Sequence, residues 1–144
     1  MEAKDTRYRW LGEVSRAKAR GILANSRLLV LSSRMEGGAN VISEAVVNGV
    51  PVLASRIPGS VGLLGKDYPG YFPVGDSKAL ARLLLRAETD SQFYDRLKNW
   101  CHRLAPRFDP ERERLSWSKL LAELCPSKPN VGTIRASRMT ASAY

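Results

Sequence analysis

The chain is poor in histidine, in cysteine and in long apolar runs. Of its 144 residues one is histidine, His102, and two are cysteine, Cys101 and Cys125. Two cysteines far apart, with no Cys-x-x-Cys and no clustered histidine, suggest neither a zinc site nor a disulfide framework; they read as reduced thiols. No run approaches the ~18 apolar residues of a membrane span. The N-terminus lacks the charged-then-apolar pattern of a signal peptide. These absences predict a cytoplasmic chain. There is no metal-binding Asp-x-Asp pair, no internal repeat, and no convincing nucleophile or general base.

Acidic residues are also the minority, 14 against 23 lysines and arginines, for a net charge of +9. A nucleic-acid partner is the first thought. Part of the excess, however, lies in residues 126–144, where Lys128, Arg135 and Arg138 stand with no acid. The other arginines, such as Arg96, Arg103, Arg107, Arg112 and Arg114, are interleaved with Asp and Glu in helical segments. That is the pattern of a solvated surface, not of a stripe that tracks phosphates.

The length fits one domain with its own core. Apolar periodicity predicts short strands at 7–11, 28–32, 51–55 and 71–73. Helices are expected over 14–24, 41–48, 76–88, 91–104 and 110–124, with a short helical piece near 60–64. Asp76 or Ser77 caps the helix after Gly75, whose buried face would be Ala79, Leu80, Leu83 and Leu84. Trp100 and Trp117 fall on apolar faces of the last two helices and read as core. Strands alternating with helices mean a parallel, doubly wound sheet covered on both faces. From Pro126 the apolar periodicity stops, and residues 126–144 read as a disordered tail after a domain spanning 1–125.

The stretch that carries chemistry is Glu36-Gly-Gly-Ala-Asn-Val-Ile-Ser-Glu44, two glutamates separated by seven residues. It follows a branched apolar strand and runs into a helix, so it sits where open α/β sheets bind ligands, beyond the carboxyl ends of the strands. Free N–H groups of a glycine-rich loop, with the positive end of a helix, suit an anion such as a diphosphate. An ionised glutamate only accepts hydrogen bonds and can take two from a vicinal diol. Phosphate and diol together suggest a sugar nucleotide.

These residues resemble the donor-binding half of the retaining glycosyltransferases of family 4, which have the two-domain GT-B fold. That family carries a Glu, seven residues and a second Glu, with small residues after the first and Ala after the second, as Ala45 follows Glu44 here. Gly49-Val-Pro-Val-Leu-Ala-Ser55 is similar to the family's next strand, and Gly75-Asp76 with Ala79-Leu80-Ala81 to the start of a later helix. The likeness runs from about Arg7 to Leu124. It implies a Rossmann-like sheet, the C-terminal half of a GT-B fold. It implies that Glu44 accepts hydrogen bonds from the nucleotide ribose, and that Glu36 is the catalytic-site carboxylate at the transferred sugar. Gly37, Gly38, Ala39, Asn40 and Val41 would offer backbone N–H groups to sugar and phosphate. Asn40 serves equally well as a helix cap. Arg34 and Arg56 are open between phosphate contact and ordinary surface. Pro58-Gly59 is either a loop near the donor or a plain turn, and His102 reads as structural or exposed. The family's chemistry needs no metal or other cofactor, relying instead on stabilising the departing diphosphate.

A narrower resemblance lies in Ser55-Arg-Ile-Pro-Gly-Ser-Val-Gly-Leu-Leu-Gly65, in Asp67-Tyr-Pro-Gly-Tyr-Phe-Pro-Val-Gly-Asp76, and in Glu44 within Ser-Glu-Ala. These are similar to the selenosugar synthases of selenoneine biosynthesis. That likeness implies UDP-N-acetylglucosamine as donor and selenophosphate as acceptor. Measured against the family, the chain is expected to lack two opening strands, the phosphate-binding Arg and Lys they bring, and the N-terminal domain that binds the acceptor. It reads as an N-terminally truncated donor-binding domain with weak or no nucleotide binding and no turnover alone. The rival reading is a non-catalytic basic fragment or interaction module.

Overall fold

The computed structural model describes residues 7–124; the expected tail at 126–144 and Cys125 lie outside them. The described chain forms two units that meet in sequence between Asp109 and Pro110. The first contains helix α1 (Arg16–Ala24), strand β1 (Leu29–Leu31), α2 (Asn40–Val47), β2 (Val52–Ser55), α3 (Pro58–Leu64), β3 (Tyr71–Phe72), α4 (Ser77–Thr89) and α5 (Ser91–Leu104), closed by a 3-10 turn (Ala105–Phe108). The second contributes α6 (Pro110–Leu124).

The three strands form one parallel sheet in the order β1-β2-β3. Leu29, Val30 and Leu31 stand opposite Val52, Leu53 and Ala54, while Ala54 and Ser55 stand opposite Tyr71 and Phe72. Parallel pairing with an intervening helix at each step is the doubly wound arrangement that the alternating pattern predicts. All four residues of β2 are buried, which requires cover on both faces of the sheet. β1 is at an edge of the sheet, and Val30 is 39% exposed, so this strand is only half-buried.

The core is built by α2 and α5 over β2. Ile42, Ala45 and Val46 are fully buried, as are Val52, Leu53, Leu64, Leu97 and Cys101. Burying a Leu, Ile or Phe side chain is worth roughly 1.5–3 kcal/mol, so this cluster is the main favourable term in the unit. Tyr68 ties the core to the sheet: its hydroxyl donates to the carbonyl of Val52 and accepts from the Val52 N–H at 3.1 Å. Trp100 packs beside it, half-buried, and its Nε1 donates to the Leu64 carbonyl at 2.8 Å. A Cβ at the buried Gly70 would press on the Val52 carbonyl oxygen and stand 2.7 Å from the Tyr68 ring, so only glycine fits that strand start.

Three expectations need correction. Tyr8, Arg9, Trp10 and Leu11 join no strand and lie exposed, because β structure needs a partner and none of the three strands pairs with them. Leu84 of α4 is 39% exposed and faces outward; Ala79, Leu80 and Leu83 make that helix's contact with the core. Trp117 of α6 is 58% exposed, since a lone helix has no second layer of its own to cover its apolar side. Asp76 does cap α4, accepting from the Ala79 N–H at 2.8 Å.

Burial pushes the Tyr68 hydroxyl and the Cys101 thiol above their ordinary values of 10.0 and 9.0, and raises Tyr71 to about 12. A raised folded-state pKa gives stability that is full below the unfolded pKa and is lost as pH rises through the folded one. Unfolding free energy should therefore hold up to about pH 9 and fall above it, by at most ~1.4 kcal/mol per pH unit for each group. Cys101→Ala should be less stable at pH 8 yet lose stability less steeply between pH 9 and 11. Urea melts across that range check this, and an unchanged slope would contradict it. Gly70→Ala should cost about 1–3 kcal/mol in the same melts, the range for overpacking a filled interior.

Candidate functional site

β1 and β2 are parallel neighbours, so the segments that follow them emerge at the same end of the sheet. After β1 comes the glycine-rich stretch 32–39, and after β2 come Ile57, Pro58 and Gly59. Two serines join them. Ser55, the buried last residue of β2, donates from Oγ to the Ser33 carbonyl, and Ser33 Oγ donates to Glu36 Oε1 at 2.8 Å. The Glu36 carboxylate is thus tethered through one oxygen to the strand ends. A Cβ at Gly59 would overlap the Glu36 carbonyl oxygen, so Pro58 and Gly59, which are the first residues of α3 and not a turn, pack closely on the motif. Between the two segments lies an open hollow of about 340 Å³, lined by Glu36, Gly37, Gly38, Pro58, Gly59, Gly62 and Leu63.

α2 begins at Asn40, with Ala39 as its N-cap and no side chain bonded to its first turn. The expected capping role of Asn40 does not hold: it is the first helical residue, and the alanine before it carries no acceptor. The Ile42 N–H bonds to the Ala39 carbonyl at 2.8 Å, while those of Asn40 and Val41 have no partner among the described residues. The first turn therefore presents unsatisfied donors and the positive end of the helix dipole. Gly37 and Gly38 are exposed and a Cβ at either would meet nothing within 4 Å, so the approach to these donors is open.

Glu44 lies on the second turn of α2, half-buried. Its Oε1 accepts from Arg20 Nε at 3.1 Å and lies 3.7 Å from Arg16 Nη2. Both arginines come from α1, and the sequence reading did not single them out; their four-residue spacing on a basic helix was the available signal. Ser33 and Ser55 were missed as well. Arg34 is exposed. Arg56 is occupied locally, its guanidinium 5.4 Å from the Tyr71 ring centre and bonded to the Lys66 carbonyl at 3.2 Å. His102 is exposed and lies beside Gly49, at the end of α2 remote from the motif, which removes it from the site.

Among the described residues no group of three or more His, Cys, Asp and Glu could hold a metal ion. No helix there is long and apolar enough to cross a membrane. The chemistry on offer is recognition: carboxylate oxygens for hydroxyls, and helix-start and loop N–H groups for an anion. These groups lie at the carboxyl ends of the strands, where open α/β sheets bind their ligands.

Residues 4–100, from before α1 to Trp100 of α5, match the family described as Glycosyl transferases group 1. The chain belongs to that family, and sugar transfer from a nucleotide-sugar donor is the activity that membership brings. No curated protein matches the chain.

Two substitutions test the architecture of the site. Gly59→Ala should displace the Glu36 backbone, shifting the amide resonances of Glu36, Gly37 and Gly38 while β3 and α4 keep theirs. Ser55→Ala removes a buried donor and should cost about 1–3 kcal/mol in denaturant melts. Loss of less than ~0.5 kcal/mol would mean that the Ser33 carbonyl is satisfied without it.

Proposed function

We propose that this chain is the donor-binding part of a retaining GT-B glycosyltransferase of family 4. The observation that carries the reading is the uncapped start of α2, framed by two carboxylates: Glu36 on the loop before it and Glu44 on its second turn. A nucleotide sugar meets all three features at once. Its diphosphate accepts from the N–H groups of the loop and helix start, at Gly37, Gly38, Ala39, Asn40 and Val41. Its ribose diol donates to Glu44, and the transferred sugar lies against Glu36 above the hollow walled by Pro58, Gly59 and Leu63.

In the reaction the bond from the anomeric carbon to the diphosphate breaks, and its electron pair leaves with the nucleotide. Donors fixed before that charge develops lower the barrier without reorganising. Glu36, held by Ser33 through Oε1, keeps its other oxygen available to a sugar hydroxyl. Uridine as the base, N-acetylglucosamine as the sugar and selenophosphate as the acceptor are the finer reading. It is supported by the likeness of residues 55–65 and 67–76 to selenosugar synthases. On that reading the acceptor's selenium forms the new bond to the anomeric carbon, with retention, and the acceptor is bound by a separate N-terminal domain.

Calorimetric titration of UDP-N-acetylglucosamine into the chain, beside Glu44→Ala, tests the reading. Weak but saturable binding, weakened further by about 1–3 kcal/mol in the variant, is the expected outcome, the cost of leaving polar partners unmet. Binding that ignores Glu44 and collapses with added salt would instead mark a general polyanion surface.

A further inference from the structure

Glu44 is the carboxylate assigned to the ribose, yet it is not a bare acceptor. Arg20 Nε donates to its Oε1 at 3.1 Å, and Arg16 Nη2 approaches the same oxygen at 3.7 Å. Among the described residues both contacts fall on Oε1 and none on Oε2. The three side chains are 78%, 58% and 22% exposed for Arg16, Arg20 and Glu44. Ion pairs this open contribute only ~0–1 kcal/mol to stability, so fold stability gives little account of the arrangement.

Its placement gives a better one. α1 leads into β1 and α2 leads out of it, so the first turns of both helices lie toward the carboxyl ends of the strands, where the motif loop emerges. Arg16 is the first residue of α1, Arg20 is one turn on, and Glu44 is one turn into α2. A lone carboxylate beside a diphosphate site would repel the ligand it is meant to orient. It would also be free to rotate away from the diol. An arginine anchored to one carboxylate oxygen removes both problems: it offsets the charge and fixes the plane of the group, leaving the second oxygen to accept.

We infer that Arg20 is a positioning residue for sugar-nucleotide recognition. It holds Glu44 by Oε1 so that Oε2 reads the ribose hydroxyls, with Arg16 adding a second, weaker charge. This rests on the reading of Glu44 as the diol acceptor. It sets the specificity of the site at the ribose: a ribonucleotide is preferred over a deoxyribonucleotide, and the preference depends on a residue of α1 that need not touch the ligand.

The test is the ratio of affinities for UDP and 2′-deoxy-UDP, measured by NMR titration into the millimolar range at physiological salt, where distant charges are largely screened. The wild-type chain should prefer UDP by about five-fold or more, the worth of one hydrogen bond. Arg20→Gln should bring the ratio close to one. Arg20→Lys, which keeps a cationic donor, should recover part of it, and Arg16→Gln should change it least. If UDP and deoxy-UDP weaken together in Arg20→Gln at an unchanged ratio, Arg20 acts on phosphate or on the fold and the inference fails alone. If the wild-type chain binds both nucleotides without discriminating, the diol reading of Glu44 fails and takes the inference with it. Folded spectra of each variant accompany the titrations, so a ratio is read only from intact protein.

Discussion

The parallel pairing of β1 with β2 is the constraint on which the rest depends. It is only three residue pairs long, yet it brings two loops distant in sequence to one end of the sheet. The motif around Glu36 and the start of α3 at Pro58-Gly59 meet there because their strands run the same way. The serines then convert proximity into fixed geometry, from Ser55 to the Ser33 carbonyl and from Ser33 to Glu36. An antiparallel pairing would send the two segments to opposite ends and leave no site.

The core serves that pairing. α2 spends its apolar side, Ile42, Ala45 and Val46, on β2 and α5, and this fixes the start of the helix above the strand ends. Ala39, buried and without an acceptor, leaves the first turn uncapped. A serine or aspartate there would strengthen the helix and compete with an anion for the same N–H groups. On the proposed donor-binding reading, local capping gives way to ligand binding, as where local rules break at functional sites.

Much of this is legible in the sequence because it is local. The Leu29–Leu31 run, the helix that follows the glycine-rich loop and the Asp76 cap are all read from neighbours within a turn or two. So are the two glutamates, which point to the loop after β1, and the family follows from several such motifs in order. What escaped is non-local. The contact of Arg20 with Glu44 joins two helices 24 residues apart in sequence, and Ser55 reaches Ser33 only across paired strands. The assignment of residues 7–11 as strand failed because a side-chain pattern alone does not make a strand, which also needs an edge to pair with. Trp117 failed for the related reason that an apolar stripe on a helix does not specify what covers it.

The central claim is that the loop and helix start at residues 37–41, with Glu44, bind the donor. The most direct measurement is a residue-resolved NMR titration of the chain with UDP-N-acetylglucosamine, following backbone amides. Saturable shifts should centre on Gly37, Gly38, Asn40 and Val41 and extend through α2 to Glu44, with the Arg20 Nε–H signal moving alongside. Shifts spread over the arginines of α5 and α6, with residues 37–44 silent, would contradict the claim and recast the chain as a basic surface on a glycosyltransferase scaffold.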